Sequence, residues 1–220
     1  MKKTTTMAVI LAGCGNRDGS ETHETLSALL AMDRRGISYK CFAPQGDFVV
    51  YDHSTMQPTD QKRNILIEAA RLCRGDIQPL ENYNPSDFDA LVLPGGMGAA
   101  QNWSTYAFEG KDMSVLPEIE KALIDTHNAG KPIGAMCIAP MILAKVFGSE
   151  HILLTLGSRC EAAEAAMAMG CRHKESPATD AVTDHEHKIV TTPAYMVATH
   201  ISQIFDGADK MIEQVQSLVR

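Results

Sequence analysis

The chain has 220 residues, six cysteines and a formal net charge of −7. A chain of this length buries roughly 70% of its extended-chain surface, so it needs no disulfide or metal staple. The acidic balance without a Lys/Arg stripe argues against nucleic acid, no run approaches the ~18 apolar residues of a membrane span, and scattered cysteines without a C-x-x-C pair suit a reduced, cytoplasmic protein.

In chain order, Met7–Leu11 reads as a buried strand. Lys2 and Lys3 ahead of Leu11-Ala12-Gly13-Cys14 imitate a lipoprotein cleavage box. The apolar run from Met7 to Ala12 is nevertheless only six residues long, shorter than the ~7–15 of a signal segment, and the strand reading is preferred. A helix over Glu21–Arg35 follows, with Leu26, Leu29 and Leu30 at helical spacing and Gly36 as its stop. Ile37–Ala43 is the next strand, and Val49–Tyr51 is a short one that suits a hairpin. Arg63–Cys73 reads as a helix, and Ala90–Leu93 as an apolar strand entering Pro94-Gly95-Gly96. Leu116–Asn128 and the alanine-rich Ser158–Met169 read as helices, and Ile189–Thr192 as a strand. Tyr195–Val219 is one long helix or two broken near Asp206-Gly207. Asp184–His187 reads as a polar turn rather than a metal motif, although His185 and His187 would share a face on a strand.

Apolar strands interleaved with helices in one domain, residues 1–220, predict an α/β fold with a mostly parallel sheet covered on both faces. In such sheets ligands bind beyond the strand carboxyl ends at a topological switch point. Three pieces fall at such ends.

Cys137 lies in Gly134-Ala135-Met136-Cys137-Ile138-Ala139-Pro140, after a short apolar run and before the helical pattern Met141, Ile142, Leu143, Val146. A strand-turn-helix junction exposes the sulfur and aims backbone N–H groups and a positive helix end at it, which predicts a lowered thiol pKa and nucleophilic character. The alternative is a buried structural cysteine. Gly95 and Gly96 let the backbone approach a ligand, so the N–H groups of Gly96 and Ile138 are the natural pair of oxyanion donors; the alternative is an ordinary tight turn. Glu24, about one turn into the first helix, is placed to share a proton with the thiol. A merely electrostatic role at the helix N-terminus competes, and Asp18 with Glu21 suits a capping box. Cys14, at the strand-one edge, is near these pieces.

Taken together, Val9-Ile10-Leu11-Ala12, Glu24-Thr25, Leu93-Pro94-Gly95-Gly96, Gly98-Ala99-Ala100-Gln101-Asn102 and Cys137 resemble the PfpI-like branch of the class I glutamine amidotransferase-like superfamily. Within it, Ile10–Gly15, Asp18–Glu21, Cys41-Phe42-Ala43-Pro44, Arg63–Arg71 and Lys188–Met196 resemble the ElbB-type isoprenoid biosynthesis glyoxalases. The resemblance implies a flavodoxin-like three-layer sandwich, a homodimer, and a glutathione-independent, cofactor-free glyoxalase acting on a small aldehyde such as glyoxal or methylglyoxal. Cys137 and Glu24 would be catalytic, Gly96 and Ile138 would hold the oxyanion, and Gly95, Cys14, Asn102 and Tyr195 would bind substrate. Many relatives carry a histidine about twenty residues after the cysteine, where this chain has Leu153-Leu154-Thr155-Leu156-Gly157-Ser158. That departure disfavours a Cys-His-acid triad and the amide hydrolysis that depends on it. It leaves His23, His127, His151 and Tyr195 as alternatives without a spacing argument. An oxidation sensor at Cys137 is the competing function.

Overall fold

Met7–Ile10 are without solvent exposure because their strand, β1 (Thr6–Ile10), runs through the middle of the protein's main sheet. The structure is a computed structural model that describes residues 4–219. After α1 (Thr22–Arg34), β2 (Ser38–Ala43) pairs parallel with β1. The antiparallel hairpin β3 (Asp47–Asp52) and β4 (Gln57–Asn64) stands apart from the main sheet. Then come α2 (Ile65–Ala69), β5 (Ile77–Pro79), β6 (Ala90–Leu93), α3 (Met97–Gln101), α4 (Tyr106–Glu109) and α5 (Pro117–Asn128). The chain continues through β7 (Ile133–Met136), α6 (Pro140–Phe147), the two-residue strand β8 (Leu153–Leu154), α7 (Glu161–Ala168) and β9 (Arg172–His173). It closes with β10 (Val182–Asp184), β11 (Ile189–Thr192) and α8 (Ile201–Leu218).

The seven-stranded sheet has the order β10-β11-β7-β6-β1-β2-β5. All its pairings are parallel except β10 with β11. From β1 the chain moves outward to β2 and β5, then restarts on the other side of β1 with β6, β7 and β11. The direction therefore reverses between β1 and β6, which is the switch point that opens a crevice at the carboxyl edge. α1 and α8 pack together, and α8 also covers β7 and β11. Right-handed crossovers running the opposite way put α5, which packs on β7 and α6, on the other face. This is the flavodoxin-like α/β sandwich.

Two readings of the sequence, the helix over Arg63–Cys73 and the cap at Asp18, need correction, and the choice left open at Gly207 is decided. The helix expected over Arg63–Cys73 is only α2. Arg63 and Asn64 finish β4, the Asn64 side chain caps Ile67 N–H at 3.2 Å, and residues 70–74 are turns. α8 is not broken at Gly207. The helix runs through that glycine because it packs against the chain beneath, where an added Cβ would lie 2.8 Å from Thr192 Oγ1 and closer still to the Ala178 carbonyl. Asp18 does not cap α1. Glu21 does, its Oε2 accepting from Glu24 N–H at 2.7 Å, while Asp18 Oδ2 holds the Tyr51 N–H at 2.8 Å. The lipoprotein-like Leu-Ala-Gly-Cys is the exit from β1, and residues 185–188 form the polar turn between β10 and β11.

Candidate active site

Cys137 is the first residue beyond β7 and takes a left-handed conformation, φ 60°. An L-residue there costs of order 1–3 kcal/mol. The turn is held by a 3.0 Å hydrogen bond from Cys137 N–H to Thr192 O on β11, and α6 starts three residues later with Pro140 in its first turn. The sulfur is thereby aimed back across the strand ends toward β6 and α1.

Glu24 reaches the same point from α1. Its side chain is fully buried, and Gly95 N–H donates to Oε2 at 3.0 Å. Tyr195 N–H approaches Oε1 at 3.5 Å, next to Ala194 in a second left-handed conformation at φ 44°. The Cys137 side chain and the Glu24 carboxyl meet across Gly95, close enough for each to shift the other's proton affinity. Gly95 is wedged between them. A Cβ there would stand 2.6 Å from Glu24 Oε2 and 2.7 Å from Met136 O, and closer still to Cys137 Cβ, so only glycine lets the acid and the thiol meet.

Burial decides the electrostatics. The Glu24 carboxyl is pushed up to about 8, first by burial and then by the neighbouring Glu21 carboxylate. The thiol of Cys137 is pushed well above its ordinary range by burial and by Glu24, against the opposing pull of the backbone N–H groups of Gly96 and Ile138. The lowered thiol pKa expected from the helix end is therefore not met. Two backbone donors and a short helix do not offset loss of water around a sulfur facing a carboxyl. Both shifts favour the protonated forms, and once Glu24 has lost its proton it is the group placed to receive one from sulfur.

A cavity of about 540 Å³ opens above the sulfur, with Cys137, Gly96, Ile138 and Tyr195 in its wall. Gly95 and Cys14 do not line it. Gly95 sits behind the acid–thiol pair, and Cys14 forms an isolated parallel bridge with Ser20. Asn102 is also elsewhere: its amide donates to Ala12 O and Asp18 O, both at 2.8 Å, tying the α3 end to the loop after β1. The residues that sequence reasoning did not assign to the cavity are Asn16, Glu21, His23, Met97 and Met196. The helical offset from Glu24 to Glu21 was the available signal, since residues three apart share a face. His23 Nδ1 lies 2.7 Å from Tyr195 Oη and 3.9 Å from Glu21 Oε1 at the cavity mouth. The structure thus brings one of the alternative histidines to the site, while His127 and His151 stay away from it: His127 pairs with Glu150 at 3.4 Å and His151 with Gly170 O at 2.9 Å.

A nucleophile-elbow cysteine, a buried acid and a glycine loop converging at the switch point invite comparison with known proteins. The human glutamine amidotransferase-like class 1 domain-containing protein 3, mitochondrial, is 40% identical over 223 residues, which cover 96% of this chain and 82% of the human one. The chain belongs to the glutamine amidotransferase-like class 1 family. A crystal structure of an isoprenoid biosynthesis protein with amidotransferase-like domain from Ehrlichia chaffeensis is 36% identical, superposes with a TM-score of 0.89, and matches over 96% of this chain and 99% of that one. A ThiJ/PfpI domain protein from Brachyspira murdochii, at 14% identity and a TM-score of 0.59 over 98% of each chain, shares the fold. No protein-family model matches the chain. The cytoplasmic placement expected from the cysteines is corrected by these family members. The human relative is mitochondrial by name, as are rat and zebrafish relatives, and thiols kept reduced do not tell one reducing compartment from another.

Proposed function

We propose that this family member is a glutathione-independent glyoxalase of the ElbB type, converting 2-oxoaldehydes to 2-hydroxy acids at Cys137. The observation that carries the reading is the buried pairing of the Cys137 thiol with the Glu24 carboxyl across Gly95, with no histidine hydrogen-bonded to either group among the described residues. A two-group site suits an internal proton shift better than expulsion of an amine, which calls for a separate general acid.

The reactive form is the pair holding one proton. Sulfur adds to the aldehyde carbon, and its proton passes to the Glu24 carboxylate. The aldehyde oxygen becomes an alkoxide beside the N–H groups of Gly96 and Ile138, which exchange sulfur for oxygen, and Glu24 then protonates it to a hemithioacetal. The Glu24 carboxylate next removes the hydrogen from that carbon as a proton, giving an enediolate, and returns it to the adjacent former ketone carbon. The proton on the first oxygen moves to the second, which leaves a thioester of a 2-hydroxy acid. Water adds its hydroxyl to the thioester carbonyl and its proton to the departing sulfur, restoring the thiol. Aldehyde plus water equals hydroxy acid, with no external oxidant or reductant.

The test is formation of lactate from methylglyoxal by the purified protein without glutathione. Production that is lost in Cys137→Ala and Glu24→Gln supports the reading. Equal rates in wild type and Cys137→Ala sink it.

A further inference from the structure

We infer that the site selects neutral 2-oxoaldehydes bearing a bulky apolar group and turns away those bearing a carboxylate. The inference rests on the glyoxalase reading for the chemistry, and on the cavity for selectivity.

Size comes first. A cavity of about 540 Å³ is far larger than a two- or three-carbon aldehyde, whose reacting carbon must still descend to the buried sulfur. A small substrate leaves most of the wall in contact with water. One with a ring or branched chain on the ketone side covers that wall, and its burial adds binding in proportion to the apolar area removed from water.

The wall is suited to such a group. Ile138, Met97, Met196 and Tyr195 present apolar surface to the cavity. Thioethers are polarizable and adapt to irregular shapes, and they make favourable contacts with aromatic rings. The Tyr195 ring is held in place at both ends. Its hydroxyl pairs with His23 Nδ1 at 2.7 Å, and its backbone N–H faces Glu24 Oε1 at 3.5 Å.

Charge supplies the exclusion. Glu21 lines the cavity, Glu24 lies behind it, and among the described residues the lining includes neither Lys nor Arg. The N–H groups of Gly96 and Ile138, the donors at the sulfur, serve the reacting oxygen. A carboxylate on the substrate's tail would lose water beside Glu21 and find no cationic partner, an arrangement that disfavours the charged form.

Steady-state kinetics with methylglyoxal, phenylglyoxal and para-carboxyphenylglyoxal test this on the full chain. kcat/KM for phenylglyoxal is expected to exceed that for methylglyoxal by about tenfold or more, mainly through KM, as burial of a ring predicts. The carboxylated analogue should fall about tenfold or more below phenylglyoxal. Met97→Lys, or Met196→Lys if the first variant does not fold, should narrow or reverse the second ratio, which intrinsic aldehyde reactivity cannot do. Comparable kcat/KM for methylglyoxal and phenylglyoxal, or for the neutral and carboxylated rings, overturns the inference. If no aldehyde turns over, the glyoxalase reading fails, and selectivity is then read by calorimetry with unreactive ketones. Acetophenone binding more tightly than para-acetylbenzoate and acetone supports the cavity argument; equal binding, or none, overturns it.

Discussion

The Glu24 carboxyl and the Cys137 thiol, contributed by α1 and by the turn after β7, meet across Gly95 in a pocket that burial keeps short of charge. Burial raises the proton affinity of both groups; Glu24 adds to it at the thiol, whereas the thiol and the backbone donors only partly oppose it at Glu24. The chemistry and the stability of the protein should therefore share one titration.

With the Glu24 carboxyl moved from an ordinary 4.5 to about 8, the folded state holds a proton that the unfolded chain has lost over that window. The raised pKa makes its contribution to stability complete below the unfolded value and lost as pH climbs through the folded one. Stability should fall from about pH 5 to pH 8 for this reason, while activity rises over the upper part of the window as the pair gives up its first proton. Urea unfolding from pH 5 to 9 checks the sign. Glu24→Gln should flatten the slope and reduce turnover by about a hundredfold or more.

The left-handed turn at Cys137 predicts an unusual order of variants. Cys137→Ala keeps the strained backbone, whereas Cys137→Gly relieves it. Both should be inactive, and the glycine variant should be the more stable by about 1 kcal/mol. Thermal melts of the two proteins decide it. A glycine variant less stable than the alanine variant would mean the turn carries no strain.

Gly95→Ala should be the most damaging small change near the site. Its methyl group has to displace either the carboxyl of Glu24 or the Cys137 side chain, at a stability cost of about 1–3 kcal/mol. Loss of nearly all turnover with the fold retained by circular dichroism is the expected pair of results.

Gly207→Ala should destabilise the protein although alanine is the better helix former. The methyl group would collide with the Ala178 carbonyl beneath α8, and the cost, about 1–3 kcal/mol, outweighs the ~1 kcal/mol of helix propensity gained. Denaturant midpoints of the two proteins measure the balance.

The elements most readily read from sequence were those with strong periodicity or full burial. Ala90–Leu93 and Ile189–Thr192 are apolar runs bounded by turn residues, and both are strands. Arg63–Asn64 were misassigned because hairpin strand β4 is mostly exposed and polar, so it lacks the alternation that marks a half-buried strand. Gly207 left the choice between one helix and two open because its reason is a neighbour distant in sequence. In the site, Cys137, Glu24 and the Gly95-Gly96 loop were legible from their addresses at strand ends and a helix start. The thiol's raised pKa was not, since it follows from how completely the surrounding elements exclude water. Asn16 and Met196 reach the cavity through loop conformations that no local pattern encodes.

The groups around the sulfur are drawn from chain segments more than a hundred residues apart, from Glu24 to Tyr195, and Thr192 on β11 fixes the elbow of β7. These segments are anchored on β1, β6, β7 and β11, which lie side by side at the centre of the sheet. Fraying of the hairpin or of the chain termini leaves them untouched, whereas separating any two of the four strands opens the hydrophobic core itself. Catalytic competence is thus a property of the most cooperative part of the molecule. Inactivation in denaturant should coincide with global unfolding, without an earlier phase in which a folded but disarmed protein accumulates.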